Sequence, residues 1–500
     1  MTSSYQPETM KKVTIIGSGF AALSSACFLA KAGFSVLVLE KNDQPGGRAR
    51  VFSKDGFTFD MGPSWYWMPE VFERFFNQFG KKVSDYYELI RLEPSYRVFF
   101  EGGESFDVPS DWRVLGEAFE KWEPGAAKKL EKFLTEAEFK YKEGIGNMVF
   151  KPGLSILEFA NWSTIKGAFQ LDLFTNFKSH VAKFFSHPKI LKILEFPVLF
   201  LGATPEKTPA LYSLMNYADL KLGTWYPQNG MSQIVKGIYQ LAISLGVEFE
   251  FNQEVLSIQV SKGGIATDIK TDSGDFSSDV VLVNADYAHT DQKLLAPEWR
   301  SYSPEYWESR VMAPSSLLYY CGLNQRVKNL KHHNLFFDED FAAHAREIYE
   351  KPEWPTKPLF YLSAPSLTDS SLAPHGKENL FFLIPTAPGI LENEQISNRY
   401  FDFIASKVEK YTGNLIRDEL LFKVPFGPKN FIADYHAHKA NAYGLANTLM
   451  QTAVFKPAIK SKKVKNLYFT GQLTVPGPGV PPSIISGEVV ANVIIEQFLV

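Results

Sequence analysis

The sequence predicts an α/β fold: a Rossmann-like dinucleotide-binding domain carrying an inserted α+β domain that is partly helical. Three observations predict it. The pattern Gly17-x-Gly19-x-x-Ala22 lies between two short apolar runs, Val13–Ile16 and Val36–Leu39. Glu40 ends the second run, 23 residues after Gly17. Near the C-terminus a strand-like run, Asn466–Thr470, passes through a Pro/Gly loop into residues of helical spacing. A strand, a glycine turn and a helix with an acid at this distance form a dinucleotide fingerprint.

Each element has a physical reason. Gly17 permits the tight turn, Gly19 lets backbone approach a pyrophosphate, and Ala22 is small enough for close helix–strand packing. Ser18, Phe20 and Ala21 complete the turn and open a helix that runs to about Ala32, where Gly33 closes it. The N–H groups and dipole at that helix start favour phosphate. Glu40 would accept hydrogen bonds from an adenosine ribose, and its charge would repel a 2′-phosphate. Next come Gly46, Gly47 and Arg48, a turn able to form an anion-binding nest beside a fixed cation. Phe57–Ser64 then forms a strand and turn containing Gly62, Pro63 and Ser64.

Further along, Tyr226–Met231 is a turn into a helix from Ser232 to Leu245, stopped by Gly246. Val247–Phe251 reads as a strand, Thr271–Asp279 as a hairpin and Val280–Val283 as another strand. At the C-terminus Gly471 and Gln472 follow the strand, and Gly479, Val480 and Pro481 lie in the loop. After Ser483, residues Ile484, Ile485, Val489, Val490, Val493 and Ile494 have helical spacing. The dinucleotide domain is therefore discontinuous: 1–85, 223–305 and 430–500. Residues 86–222, helical and Phe-rich, and 306–429, with strands at Ser316–Cys321, Leu359–Leu362 and Leu380–Ile384, form the inserted domain.

Composition narrows the function. The 500 residues suit two or three domains of roughly 150 residues each. With 52 Lys+Arg against 55 Asp+Glu, no basic footprint exists for nucleic acid. Two cysteines, Cys27 and Cys321, are too few for a disulfide scaffold and point to a reducing compartment. No metal site is expected: His436 and His438 read as loop polarity, and His332 and His333 as a solvated loop. The 42 phenylalanines fit either a large core or a long apolar cavity. The uncharged run Val13–Ala30 is interrupted by Gly17 and Gly19, and 466–487 holds four prolines, so neither spans a bilayer. The stripes Phe72, Phe75, Phe76, Phe79 and the 188–201 segment read as core faces or as an interfacial patch.

At this point the chain resembles the FAD-dependent flavoproteins that include amine oxidases, carotenoid desaturases and Rab GDP-dissociation inhibitors. The fingerprint, Glu40 and Gly46–Arg48 carry that likeness. Five further blocks resemble the bacterial phytoene desaturase family in particular: FDMGPSW at 59–65, GTWYPQNGMSQIVKGI at 223–238, VVLVNADYAHT at 280–290, SLTDSSLAPHGK at 366–377 and NLYFTGQLTVPGPGVPPSIISG at 466–487. Gln472 and Pro482 depart from the family pattern, which has an acidic or small residue and a glycine there.

The resemblance implies a flavin amine oxidase-like fold with FAD as cofactor. It places FAD against residues 17–22, Glu40, Lys41, 46–48, 62–64, Val255, Gly471, Gln472, 479–481 and Ile484. It implies desaturation of an acyclic C40 carotenoid, phytoene or a linear relative with or without hydroxyls, through hydride transfer to flavin. Oxygen or a quinone would then reoxidise the cofactor. The expected location is cytoplasmic, held peripherally on the inner face of the membrane. Asp219, an acid before the Gly223–Pro227 block, is the candidate proton acceptor. An amine-oxidase-like enzyme and a non-enzymatic prenyl binder stand as alternatives.

Overall fold

Val13, Ile15 and Ile16 are too apolar for a sheet edge, and the chain buries them at the centre of a five-stranded parallel sheet. In this computed structural model, which describes residues 10–155, 158, 175–201 and 204–499, the strand order is Leu467–Phe469, Val280–Val283, Lys12–Ile16, Ser35–Leu39, Glu248–Glu250. All four pairings are parallel. Both faces are covered, as parallel sheets require. Val13, Ile15, Val36, Val38, Val280 and Leu282 turn to one apolar cluster, and Ile16, Leu37, Leu39, Val281 and Val283 to another. The helices Phe20–Lys31, Ser232–Ser244 and Val480–Leu499 lie on the first face.

The strand order reverses between Lys12–Ile16 and Val280–Val283, so a crevice opens at their carboxyl ends. A second sheet of seven strands is ordered Leu420–Phe426, Ser315–Leu323, Glu378–Thr386, Phe360–Ser363, His333–Phe336, Tyr96–Phe99, Ser105–Val108. It is antiparallel except where His333–Phe336 meets Tyr96–Phe99. The helix Glu394–Thr412 covers one face through Tyr400, Phe401, Ile404 and Val408. The other face presents Leu318, Tyr320, Tyr361 and Phe381 to the aromatic side chains of 57–76.

Two expectations change, and the apolar stripes take the first of their two readings. His332 and His333 are buried, not solvated. His333 stacks on Trp65, ring centroids 4.1 Å apart, and its Nδ1 lies 2.6 Å from the Tyr361 hydroxyl. Burial pushes both imidazoles below their ordinary range. The C-terminal helix starts at Val480, because Pro481 and Pro482 are tolerated in a first turn whose N–H groups have no intrahelical partner. The apolar face of Pro188–Glu195 (Ile190, Ile193, Leu194) packs into the core, as do Phe72, Phe75 and Phe76. Side chains of 199–201 lie outside the described residues. Among the described residues no helix is long and apolar enough to cross a membrane.

Candidate cofactor and active site

The crevice is built first from the fingerprint turn. Gly17 adopts φ +90°, and its N–H donates to Leu39 O at 2.7 Å. A β-carbon on Gly19 would lie 2.7 Å from Asn284 Oδ1, so only glycine leaves that space open. No side chain caps the helix that starts at Phe20, which leaves its first-turn N–H groups for a ligand. Ala21 and Ala22 are buried under the C-terminal helix.

Glu40 sits at the carboxyl end of the second strand and is buried. One carboxylate oxygen accepts from Ser18 N–H (2.8 Å) and Ser18 Oγ (2.6 Å), the other from the backbone and side-chain amides of Asn42 (2.9 and 2.8 Å). It is thus locked beside the turn. Lys41 points elsewhere: its ammonium donates to Ala433 O at 2.7 Å and pairs with Glu254 at 3.5 Å. Val255 packs in the apolar cluster under Leu37 and Leu39, two residues after Gln253, whose N–H donates to Glu40 O.

The Gly46–Arg48 turn closes over the fingerprint. Gly46 N–H donates to Ser18 O at 2.9 Å, and Gly46 and Gly47 both have positive φ. Arg48 donates to Asn441 O at 3.3 Å, and with its amide oxygen facing the guanidinium Gln472 accepts from Arg48 at 3.1 Å. Arg48 Nε is buried without a partner, and burial lowers the guanidinium pKa. The Asp286 carboxylate offsets part of the cost of burying this cation, and an arriving anion would offset more. A β-carbon on Gly62 would strike Arg48 O at 2.2 Å, so the loop carrying Pro63 and Ser64 lies flat against this turn. Ser64 lies beside the Tyr361 hydroxyl.

From the other strand, Gly471 takes φ +106° and its N–H donates to Ser486 Oγ at 3.0 Å. Asn284 Nδ2 donates to Thr470 O at 3.2 Å and so bridges the two glycine turns. Gly479 has φ +111°, and Ser483 N–H returns to its carbonyl at 3.0 Å. Ile484 is buried beside Ser24, whose hydroxyl donates to Ile484 O at 2.8 Å. A second helix start, at Val480 and Pro481, thus follows the Gly471 turn. Two helix N-termini, a buried arginine with an unpartnered Nε and glycines that leave space open suit a dinucleotide flavin.

Asn284, Asn441 and Ser486 were missed as site residues. Asn284 had a signal: it is polar and directly follows a four-residue apolar strand, as Gly17 does. Asn441 and Ser486 had none. Asp60 was also missed; it accepts from Met231 and Ser232 N–H (2.7 and 2.8 Å), tying Phe57–Asp60 to the helix Ser232–Ser244.

Asp219 is buried near the end of the helix Leu214–Leu220. It accepts from Tyr96 Oη at 2.9 Å and Thr224 Oγ1 at 3.3 Å, and Trp67 donates to the same threonine at 2.9 Å. Tyr96 packs against Trp65 and Phe196. Burial pushes this carboxyl up to about 7, against the two hydrogen bonds that lower it. The Trp67–Thr224 link joins it to the loop that carries Gly62–Ser64. Lys41, by contrast, is not brought into the fingerprint turn.

Residues 20–495 match the family described as flavin containing amine oxidoreductase. A carotenoid 3,4-desaturase of Haloarcula japonica is 42% identical over 97% of this chain and 98% of its own. A zeta-carotene-forming phytoene desaturase of Myxococcus xanthus is 30% identical, covering 96% and 93%. Among solved structures, a putrescine oxidase aligns with TM-score 0.63 at 14% identity, over 98% of this chain and all of that one. An oxidoreductase from Methanosarcina mazei aligns at 0.61 and 16%, over 96% and 100%. The expected flavin amine oxidase-like fold and the FAD cofactor therefore stand, and the chain belongs to the flavin-containing amine oxidoreductases as a carotenoid-desaturase-type FAD oxidoreductase acting on CH–CH groups.

Proposed function

We propose that this enzyme introduces double bonds into an acyclic C40 carotenoid, phytoene or a linear relative with or without hydroxyls. The observation that carries it is Asp219: a buried carboxyl with hydroxyl partners, set among Trp65, Trp67, Tyr96 and Phe196 beside the Gly62–Ser64 loop. A hydrocarbon offers no polar handle, so aromatic walls must hold it by shape. The names of the relatives support the same substrate class. FAD, when bound, supplies the hydride acceptor and later passes its electrons to oxygen or a quinone. The carboxylate of Asp219 takes the proton from the neighbouring carbon as the C=C bond forms, and Tyr96 and Thr224 fix its orientation. Incubating the holoenzyme with phytoene, neurosporene and a hydroxylated linear carotene should give a product with added double bonds from at least one. No new chromophore from any of them would reject the reading.

The proposed FAD contacts are those of residues 17–22, 40, 46–48, 62–64 and 471–484. Glu40→Ala should weaken FAD binding by about 1–3 kcal/mol, the cost of deleting one partner of a buried hydrogen-bonded group. Titrating apoprotein with FAD by fluorescence checks this, and unchanged affinity would put the ribose elsewhere.

Membrane contact is proposed for another surface than 188–195. Leu154, Met450 and Phe455 are exposed and flank the contact of Gly153 with Ala453. Large apolar side chains grouped this way suit the inner face of a bilayer. The pair Met450→Glu and Phe455→Glu should cut partitioning onto anionic liposomes at least about tenfold, since each buried side chain is worth about 1.5–3 kcal/mol. Wild-type protein that ignores liposomes of every composition would remove the membrane from the account.

A further inference from the structure

Among the described residues, Lys456 is a buried charged group near the C-terminus whose position the chemistry above leaves unexplained. Its side chain is buried, 5% exposed. Its ammonium has Asn447 Oδ1 at 3.4 Å and, among the described residues, no carboxylate partner. A buried ammonium without an anion is costly to a fold. It lies against Gly477: a β-carbon there would stand 3.3 Å from Lys456 Nζ and 3.4 Å from Asn447 Oδ1. Gly477 has φ +138° and stands three residues before the helix that starts at Val480. One buried charge and one helix N-terminus therefore converge on the same Pro/Gly loop, and both are positive.

We infer that Lys456 is the cation that balances the negative charge of the reduced flavin ring, and so sets how readily this enzyme accepts electrons. The inference rests on the FAD reading. A hydride adds two electrons and one proton, so the reduced ring carries one negative charge unless a second proton follows. That charge is stabilised by a fixed cation in a dry site and by a helix start. Burial lowers the ammonium pKa to about 8, which leaves Lys456 mostly charged at neutral pH before an anion is formed beside it. Lys456 is in this sense a tuning residue: it acts on the cofactor and leaves the carbon chain to other groups.

The test is an anaerobic redox titration of holoenzyme, wild type against Lys456→Met and Lys456→Arg. Methionine keeps the apolar stem without the charge. The expected result is bound flavin in all three, with the reduction equilibrium of Lys456→Met shifted at least about tenfold toward the oxidised form, about 30 mV for a two-electron couple. Lys456→Arg should stay within about threefold of wild type. Should Lys456→Met lose its flavin, Lys456→Gln carries the same comparison with a polar end. A yellow, uncharged variant with an unchanged potential would overturn this inference alone. A wild-type protein that binds no flavin would overturn the cofactor reading and this one with it.

Discussion

Asp219→Asn should slow anaerobic flavin reduction by an acyclic carotene about 10²–10⁴-fold, the usual worth of a positioned general base, while flavin content stays unchanged. The substitution is nearly isosteric, so the Tyr96 and Thr224 hydroxyls keep a partner. Asn cannot take a proton. Because burial raises the carboxyl to about 7, the wild-type rate should rise with pH through that value as the carboxylate forms. The variant should lose this limb. A full-speed, pH-independent Asp219→Asn enzyme would leave hydride transfer and positioning to do all the chemistry.

Even Gly487→Ala should unfold or empty the cofactor domain. An added β-carbon would lie 2.3 Å from Ala21 O and 2.7 Å from Ser24 Cβ, in the crossing of the fingerprint helix with the C-terminal helix. Neither neighbour is the far end of a flexible chain, so the helices must part. Parting them strains the core by about 1–3 kcal/mol. It also stretches the bonds from Ser24 Oγ to Ile484 O (2.8 Å) and from Ser25 Oγ to Gly487 O (2.9 Å), about 1 kcal/mol each. Both helix starts face the crevice, so FAD should be lost together with stability. Thermal melting with and without added FAD reads both. Ser24→Ala, which removes one bond and adds no atom, should cost only about 1 kcal/mol.

Local spacing made the crevice legible before the fold was known. Gly17, Gly19 and Glu40 lie within one βαβ unit, where three residues specify a turn, a helix start and a strand end. What the spacing could not show are partners far along the chain. Arg48 meets Asn441, and Gly19 meets Asn284, because the strand order reverses between Lys12–Ile16 and Val280–Val283. His332 and His333 were misread for a related reason. Lys331 beside them suggests water, yet His333 begins a strand of the seven-stranded sheet, between Trp65 and Tyr361. Polarity of neighbours along the chain says little about neighbours across a sheet. The Pro188–Glu195 stripe shows the same limit: amphipathic spacing tells that one face is hidden, and tertiary packing decides by what.

Mixing purified, oxidised holoprotein with an acyclic carotene in the absence of oxygen tests the central claim most directly. Flavin absorbance should bleach, and for each flavin reduced one carotene should gain one double bond. Flavin that stays oxidised with every linear carotene yet bleaches with a small amine would contradict the account.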